Sequence, residues 1–465
     1  MLSVVVLAAG KGTRMRSDLP KVLHPLLGVP LLDYPLELAE ELAEPEGDRR
    51  IAVVVGHGCE LIQEAYRERR VVWALQEEQL GTGHAARIGV DGLWARGGDR
   101  RGDAESTRDA KSTWADADVL IFNGDLPLLR PATVRRLVDH HRRSGAEVTL
   151  LTVRKSDPRG FGRIVRAPGG GPVTRIVEEA DADAETLAIR EVNVGTYVFR
   201  VSTFRECFDR TSPDNRQGEY YLPDVAMCAA DEGRLVETVL AEDEREAAQV
   251  NSRLELAEAA HVLRQRILEE LMEAGVTIDD PRTTYIEKGV SIGRDSRIHP
   301  FTVIRRGVHI GPRCEVGPFA QLRPGSRLEK DVKVGNFVEI KNSTLGEGTK
   351  AAHLAYVGDG EVGRRVNLGA GTIFANYDGK TKSQTVIQDG AFIGSGTVLV
   401  APVRVGRGAV TGAGAVVLRG HDVGDGEVVV GVPATPLTGG SSGKGEAGTG
   451  KASARRRGAA KDTGS

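Results

Sequence analysis

Cysteine is scarce in this chain: four thiols in 465 residues, at positions 59, 207, 228 and 314, with no CxxC pair and no dense framework. That spacing excludes a disulfide-stapled module and suits reduced thiols in a cytoplasm. An excess of one charge is also missing. With 62 basic and 65 acidic residues the formal net charge is -3, which points neither to nucleic acid nor to an anionic membrane surface. The apolar stretch from Leu2 to Ala9 has no basic segment before it. It is far shorter than the roughly 20 residues that span a bilayer, so it reads as a buried parallel strand rather than a signal peptide. Small polar ligands remain open, and the length suits two or three domains with sizeable cores.

What the chain does have is a period of six. Ile286, Ile292, Ile298, Ile304, Ile310, Val316, Leu322, Leu328, Val334 and Ile340 follow one another at that interval, a spacing of neither a helix nor an ordinary strand. Small or β-branched residues stand four places after them, among them Val290, Ser296, Thr302, Cys314 and Ala320. Gly293, Gly311, Gly317 and Gly335 follow four of the aliphatics directly. This is the hexapeptide pattern of a parallel β-helix, in which three units make one triangular coil and coils stack at about 4.8 Å. The register fails after Ile340, because Leu345 arrives one place early, and returns with Ile387, Ile393, Leu399 and Val405. A solenoid accommodates insertions as loops thrown out from the coils, so the interruption between Phe337 and Gly379 is where binding groups are expected to collect. It holds Glu339, Lys341, His353, Tyr356, Asn367, Asn376 and Tyr377, with Arg323 ahead and Lys382 behind.

The first 250 residues alternate β-branched runs (Val4 to Leu7, Ile51 to Val55, Val119 to Phe122, Val148 to Val153) with helical stretches such as Leu31 to Leu42 and Pro131 to His141. That order predicts a doubly wound, Rossmann-like α/β domain with a mainly parallel sheet. The polar segment between Asp91 and Asp118 reads as a mobile surface insertion. A helical pattern from Ser252 to Ala274, stopped by Gly275, should join the two halves. The expected division is therefore 1–251, a linker helix over 252–275, a β-helix over 276–436 and a disordered tail over 437–465, where ArgArgArg at 455 to 457 is read as solvated.

The first strand runs into LAAGKGTRM, a glycine-rich turn whose backbone N–H groups can approach phosphates, with Lys11, Arg14 and Lys21 supplying charge. It is not a Walker A sequence, and Met15 stands where a dinucleotide fingerprint needs its third glycine. With QEEQLGTGHA from Gln76, NGDLPLL from Asn123, GFGRI from Gly160, IVEE from Ile176, VNVGTY from Val192 and QVNSRLEL from Gln249, this turn resembles the sugar-phosphate nucleotidylyltransferases. The resemblance implies attack by a sugar-1-phosphate oxygen on the α-phosphorus of UTP, with no protein nucleophile. It puts Leu7, Ala8, Ala9 and Gly10 around the nucleotide, Arg14 and Lys21 on its phosphates, and Gln76, Gly81 and Thr82 at the uracil. Asn123 and Gly124 would touch the nucleotide, Asp125 and Asn251 would hold Mg2+, and Gly162, Glu178 and Asn193 would face the sugar.

A left-handed parallel β-helix with EIKNS and AAHLAY resembles the hexapeptide acyltransferases, and both halves in this order resemble the bifunctional bacterial family that makes UDP-N-acetylglucosamine. That family acetylates glucosamine-1-phosphate with acetyl-CoA and then uridylylates the product, feeding cell-envelope polysaccharide synthesis. The match makes His353 the general base, suited by imidazole's ordinary pKa of about 6.5, with Glu339 helping to orient or polarise it. Arg323, Lys341 and Lys382 would neutralise the sugar phosphate, and Tyr356, Asn367, Asn376 and Tyr377 would shape the sugar pocket. Acetyl-CoA would lie along Ala370, Asn376, Tyr377, Ser395 and Ala413. The resemblance also implies a cytoplasmic homotrimer with sites between subunits, and no nucleic-acid partner or membrane insertion. The chain departs from the family at Gly431, before Val432 and Pro433, where members commonly carry an arginine; Arg419 or a residue of the tail would have to take over its contact with the CoA phosphates. Two other readings stay open: a pyrophosphorylase whose β-helix only assembles the oligomer, and a nucleotide-sugar sensor without turnover.

Overall fold

The computed structural model describes residues 2–43, 51–95 and 117–437. They form two compact units, Met1–Ile292 with Pro300–Val308 and Gly293–His299 with His309–Ser465. The central part of the expected insertion, residues 96–116, and the expected tail from 438 onward lie outside the described residues. No described helix is long and apolar enough to cross a membrane.

The first unit is built on strands β1 (Leu2–Leu7), β2 (Ile51–Val55), β3 (Val72–Leu75), β4 (Asp118–Asn123), β5 (Val148–Arg154), a hairpin of β6 (Arg163–Arg166) and β7 (Val173–Val177), then β8 (Glu191–Arg200) and β9 (Val236–Leu240). Helices α1 (Asp33–Leu42), α2 (Cys59–Ala65), α3 (Thr82–Ala95), α4 (Pro131–Ser144), α5 (Val201–Phe208), α6 (Leu222–Asp231) and α7 (Arg253–Glu273) connect or follow them. The main sheet runs β9-β5-β8-β4-β1-β2-β3. Only β8 is antiparallel to its neighbours along that path. The stretch expected to be a buried parallel strand is the central strand β1, buried along its whole length. Every residue of β2 is buried as well, the near-continuous apolar pattern of a sheet covered on both faces. Two separate clusters of buried side chains pack its faces, one around Leu36, Phe122 and Leu137, the other around Ala86, Tyr197 and Phe204.

In the second unit, short parallel strands repeat around three sheets. One holds Arg297–Ile298, Glu315–Val316, Lys333–Asn336, Lys350–His353, Asn367–Leu368 and Phe392–Ile393, and the other two begin at His309–Ile310 and Gln321–Leu322. This is a parallel β-helix. Of the ten period-six aliphatics, all but Ile292 are buried. The interruption differs from the expectation of thrown-out loops. After Ile340 the coils continue without a break, and the pairing step merely falls from eighteen residues, His309 opposite Arg327, to seventeen, Lys333 opposite Lys350. A corner shortened by one residue shifts the sequence period while the sheets stay in register. His353 therefore ends a strand rather than riding a loop. The true excursion lies between Ile373–Ala375 and Thr385–Ile387.

Glycine sets how closely the coils approach. A Cβ added at Gly335 would stand 1.9 Å from the backbone carbonyl oxygen of Ala352, and neither backbone can move without losing ladder hydrogen bonds. Gly335→Ala should lower the stability of the β-helix by about 3 kcal/mol, the cost of overpacking against an immobile neighbour, as measured by denaturant unfolding of the full chain. A neutral effect would contradict the coil spacing described here.

Candidate functional site

In the first unit, β1 is the strand at which the order reverses, with β2 on one side and β4 on the other. Such a switch point leaves a crevice beyond the carboxyl ends of the strands. A cavity of about 410 Å³ opens there, lined by Leu7, Ala8, Ala9 and Gly10 from the end of β1, Asn123 and Asp125 from the end of β4, and Gln76 beyond β3. Lys21, Gly81, Thr82, Gly162, Glu178 and Asn193 complete the set of expected residues on its walls.

Local backbone devices hold each polar group. Gly12 has φ +61°, and a Cβ there would meet the Lys21 Cβ at 2.6 Å, so the turn folds back far enough to seat Lys21. Lys21 Nζ donates to Asp125 Oδ2 at 2.6 Å and to Asn251 Oδ1 at 2.9 Å. The pair is largely shielded, with Lys21 and Asp125 side chains 10% and 13% exposed. Asn251 precedes α7, whose first turn carries a capping box: Ser252 Oγ accepts from the Glu255 N–H, while Glu255 Oε2 accepts from the Asn251 N–H at 2.8 Å. The helix start thus fixes the backbone that presents the Asn251 amide. Asp125 Oδ1 is buried and has no hydrogen-bond partner among the described residues. An orphaned carboxylate oxygen beside an amide oxygen is the hard donor set that suits Mg2+.

At the other end, β8 is bulged between Asn193 and Tyr197. Asn193 Oδ1 accepts from the Gly195 N–H at 3.0 Å, and Gly195, at φ +80°, leaves room for the Asn123 amide, which a Cβ would approach to 2.7 Å. The bulge turns the Asn193 side chain along the cavity. Burial raises the Glu178 carboxyl above its ordinary range, with Asp224 and Asp181 adding to the effect and Arg163 opposing it. Gln76, buried at the base, donates through Nε2 to the Gly81 carbonyl at 3.2 Å. Gly81 has φ +103°, and its Cβ would lie 2.6 Å from the Tyr220 carbonyl oxygen.

Four expected residues are not on the cavity wall: Lys11, Arg14, Gly124 and Asn251, the last of which meets it through Lys21. Arg14 is exposed on a short 3-10 turn. Gly124 contributes packing: its N–H donates to the Leu7 carbonyl at 2.8 Å, and a Cβ would meet that oxygen at 3.1 Å. Sequence reasoning missed Gln79, Gln217, Glu219 and Tyr221, which also line the cavity. Gln79 Nε2 donates to the Ala9 carbonyl at 2.8 Å, bracing the glycine-rich turn. The other three belong to QGEYYLPD, which runs into the first turn of α6 and carries no signal beyond that of an ordinary polar loop.

In the second unit, the strand pair Lys333–Asn336 and Lys350–His353 sets Asn336 opposite His353. Asn336 Oδ1 lies 2.6 Å from His353 Nδ1. An acceptor there puts the proton on Nδ1 and leaves Nε2 as the basic nitrogen of an exposed imidazole. Glu339, expected to help orient or polarise the histidine, accepts through Oε1 from Arg323 Nη1 at 2.7 Å, while the hydrogen bond at His353 Nδ1 is with Asn336. Asp359, also missed from sequence, gathers the neighbourhood. Asn342 Nδ2 donates to it at 2.7 Å, as does the Asn376 amide. Burial pushes its pKa up, but those two hydrogen bonds and the nearby charges of Lys341 and Lys382 leave it below the ordinary range. Tyr356 pairs in register with Glu339, and Asn367 with Lys350. Tyr377 is exposed on the excursion, its hydroxyl donating to the Gly379 carbonyl at 2.7 Å. Ala370, Ser395 and Ala413 occupy successive corners, tied by Gly396 N–H to Ala370 and Gly414 N–H to Ser395. Gly431 takes φ +93°, a left-handed conformation that disfavours arginine. Arg419 is bound to Asp378 at 3.1 Å.

Comparison with known proteins agrees with this division. The model of the MobA-like NTP transferase domain matches residues 4–209, and that of the bacterial transferase hexapeptide (six repeats) matches residues 384–419. Bifunctional protein GlmU of Desulfitobacterium hafniense is 43% identical over 451 residues, covering 90% of this chain and 93% of its own. The proteins of that name from Geobacter metallireducens, 41% identical with 90% and 94% covered, and Thermobifida fusca, 43% identical with 89% of each, are similarly close. A putative glucose-1-phosphate thymidylyltransferase from Bacillus anthracis aligns with 56% of this chain and 95% of its own, at 14% identity and a TM-score of 0.40, too distant to bear on the fold. The chain belongs to the family of bifunctional GlmU proteins, uridylyltransferase and N-acetyltransferase in one polypeptide.

Proposed function

We propose that this enzyme acetylates glucosamine-1-phosphate at the β-helix and uridylylates the N-acetylglucosamine-1-phosphate so formed at the α/β cavity, releasing UDP-N-acetylglucosamine and pyrophosphate. The functional division falls at the linker helix: 1–251, 252–275 and 276–436. The observation that carries the acetyl-transfer half is the His353–Asn336 pair, which leaves Nε2 free to accept a proton from the sugar amine as it attacks the thioester of acetyl-CoA. A β-helix serving only assembly has no use for an oriented, exposed imidazole. Lys341 and Lys382, beside Asp359, supply positive charge for the sugar phosphate, joined by Arg323. The small side chains at Ala370, Ser395 and Ala413 suit the pantetheine arm.

In the α/β cavity, the Leu7–Gly10 backbone would receive the nucleotide, Gln76 and Gly81 its base, and Glu178 and Asn193 the sugar hydroxyls. Lys21 neutralises the phosphates during attack on the α-phosphorus. Asp125 and Asn251 would hold Mg2+, which when bound supplies further neutralisation of the phosphate oxygens. The cellular setting consistent with these substrates is the cytoplasm.

A homotrimer is supported by an exposed apolar ladder next to the proposed base. Phe319, Phe337 and Leu354 are each about half exposed, at 47%, 55% and 58%. All three carry positive φ, and the two rings stack with centroids 5.3 Å apart. Phe337 follows Asn336 and Leu354 follows His353 in sequence, so a neighbouring subunit covering the ladder would border the acetyl-transfer site. Replacing Phe337 with lysine should convert a trimer to monomers in sedimentation and reduce acetyl transfer, leaving uridylyl transfer largely intact; an unchanged sedimentation coefficient would remove the ladder from the interface.

His353→Ala should lower acetyl-transfer kcat by about 10²- to 10⁴-fold, and Asn336→Ala should lower it less, with uridylyl transfer near its starting value in both. Thiol and pyrophosphate release, followed separately, check this. Equal loss of both activities would count against independent sites, and pyrophosphate release without thiol release by the unaltered enzyme would favour the reading in which the β-helix only supports assembly.

The Glu178 carboxyl titrates above the ordinary value of 4.5, so on acidification it loses its charge before a free glutamate does. As a hydroxyl acceptor it is needed ionised, and kcat/KM for uridylyl transfer should therefore fall on the acid side through that raised pKa. Glu178→Gln should lower kcat/KM near neutrality and flatten this limb in a pH profile.

A further inference from the structure

Two of the four cysteines meet in space. Cys207 lies near the end of α5 and Cys228 within α6, and their sulfurs and a Glu232 carboxylate oxygen all fall within 4.8 Å of one another. Cys207 is fully buried, whereas Cys228 is partly exposed. Burial, then the hydrogen-bonded Cys228 thiol, pushes the Cys207 thiol up to about 12, while Arg234 and Arg210 pull the other way. Glu232 is already ion-paired with Arg210 and with Arg234, the latter at 2.9 Å. Two guanidinium groups beside the carboxylate oppose a metal cation here, and the partly exposed Cys228 sulfur is the one an oxidant can reach.

We propose that Cys207 and Cys228 form a reversible redox pair that closes to a disulfide under a peroxide oxidant. The Cys228 thiolate attacks one peroxide oxygen, the O–O bond breaks, and the sulfenic acid and one water result. The Cys207 sulfur then attacks the sulfenic sulfur, forming the S–S bond while the hydroxyl leaves as a second water with the Cys207 proton. Two thiols are oxidised by two electrons and one peroxide is reduced to two waters. A thiol reductant restores the pair by exchange.

The position gives the bond a consequence, one that rests on the uridylyl-transfer reading of the cavity. The segment between the two cysteines supplies Gln217, Glu219 and Tyr221 to the cavity wall, followed by Leu222 and Pro223 at the start of α6. It is also stitched to the uracil edge: the Gly83 N–H donates to the Tyr220 carbonyl at 2.7 Å, and the Leu222 N–H to Thr82 Oγ1 at 3.2 Å. The proposed bond ties α5 to α6 at the roots of this wall, and a displacement of about 1 Å there on closure would cost up to 10²-fold in rate.

The test treats the full chain with hydrogen peroxide and maps tryptic peptides without reduction. The expected product joins ECFDR, residues 206–210, to QGEYYLPDVAMCAADEGR, residues 217–234, and is absent in Cys228→Ser and in Cys207→Ala. Uridylyl transfer should drop at least fivefold on oxidation and recover with dithiothreitol, with acetyl transfer unchanged and the Cys228→Ser enzyme insensitive. Over-oxidised Cys228 without the linked peptide, or a linkage between chains, would falsify the pair. A linked peptide with unaltered uridylyl transfer would overturn the coupling to the cavity, whereas a protein inactive before oxidation would count against the uridylyl-transfer reading itself.

Discussion

Parallel strand pairing is the constraint on which both halves depend. Parallel neighbours cannot be joined by a tight turn, so each connection must travel away and return. In the α/β unit this gathers the carboxyl ends of β1, β4 and β3 at one edge and opens the cavity at the reversal of strand order. In the β-helix it stacks each coil on the one before, so residues distant in sequence become registered partners. Asn336 beside His353 is such a pair. The chemistry in each unit is a by-product of ladder geometry, with side chains brought together by backbone hydrogen bonds rather than by contacts of their own.

The polar groups so assembled are then fixed by small backbone devices. The left-handed Gly12 seats Lys21, the bulge before Tyr197 turns Asn193, and the Ser252–Glu255 capping box holds the backbone of Asn251. None of these contributes a charge to the reaction. Each removes freedom from a group that does, and a positioned group needs no reorganisation during the transfer. The shielded Lys21–Asp125 pair illustrates the balance: one carboxylate oxygen is satisfied by the ammonium, and the other is buried and available to a cation.

The legibility of the sequence followed the length scale of the interaction. The period-six aliphatics were readable because each must enter the same internal column, and the strand-end glycines because close approach of backbones tolerates nothing else. The cavity residues in β1, β4 and the Gln76 turn were readable for the same local reason. Gln217, Glu219 and Tyr221 were not, since they reach the cavity from a segment whose own pattern is that of an ordinary polar loop. The break after Ile340 was seen, but its meaning was misjudged: a shortened corner and an inserted loop disturb a one-dimensional period alike, and only the registered sheets distinguish them.

The sequence by itself determined the two architectures, the family and most of the residues that line the α/β cavity, because periodic burial and glycine-rich turns are properties of neighbouring residues. Tertiary structure decided the partnerships. It gave His353 to Asn336 and Glu339 to Arg323, gathered Asn342 and Asn376 on Asp359, and brought Cys207 to Cys228 across two helices. Which side chain neutralises or orients another depends on the stagger between coils and the packing of helices, and a difference of one residue in a corner is enough to change it.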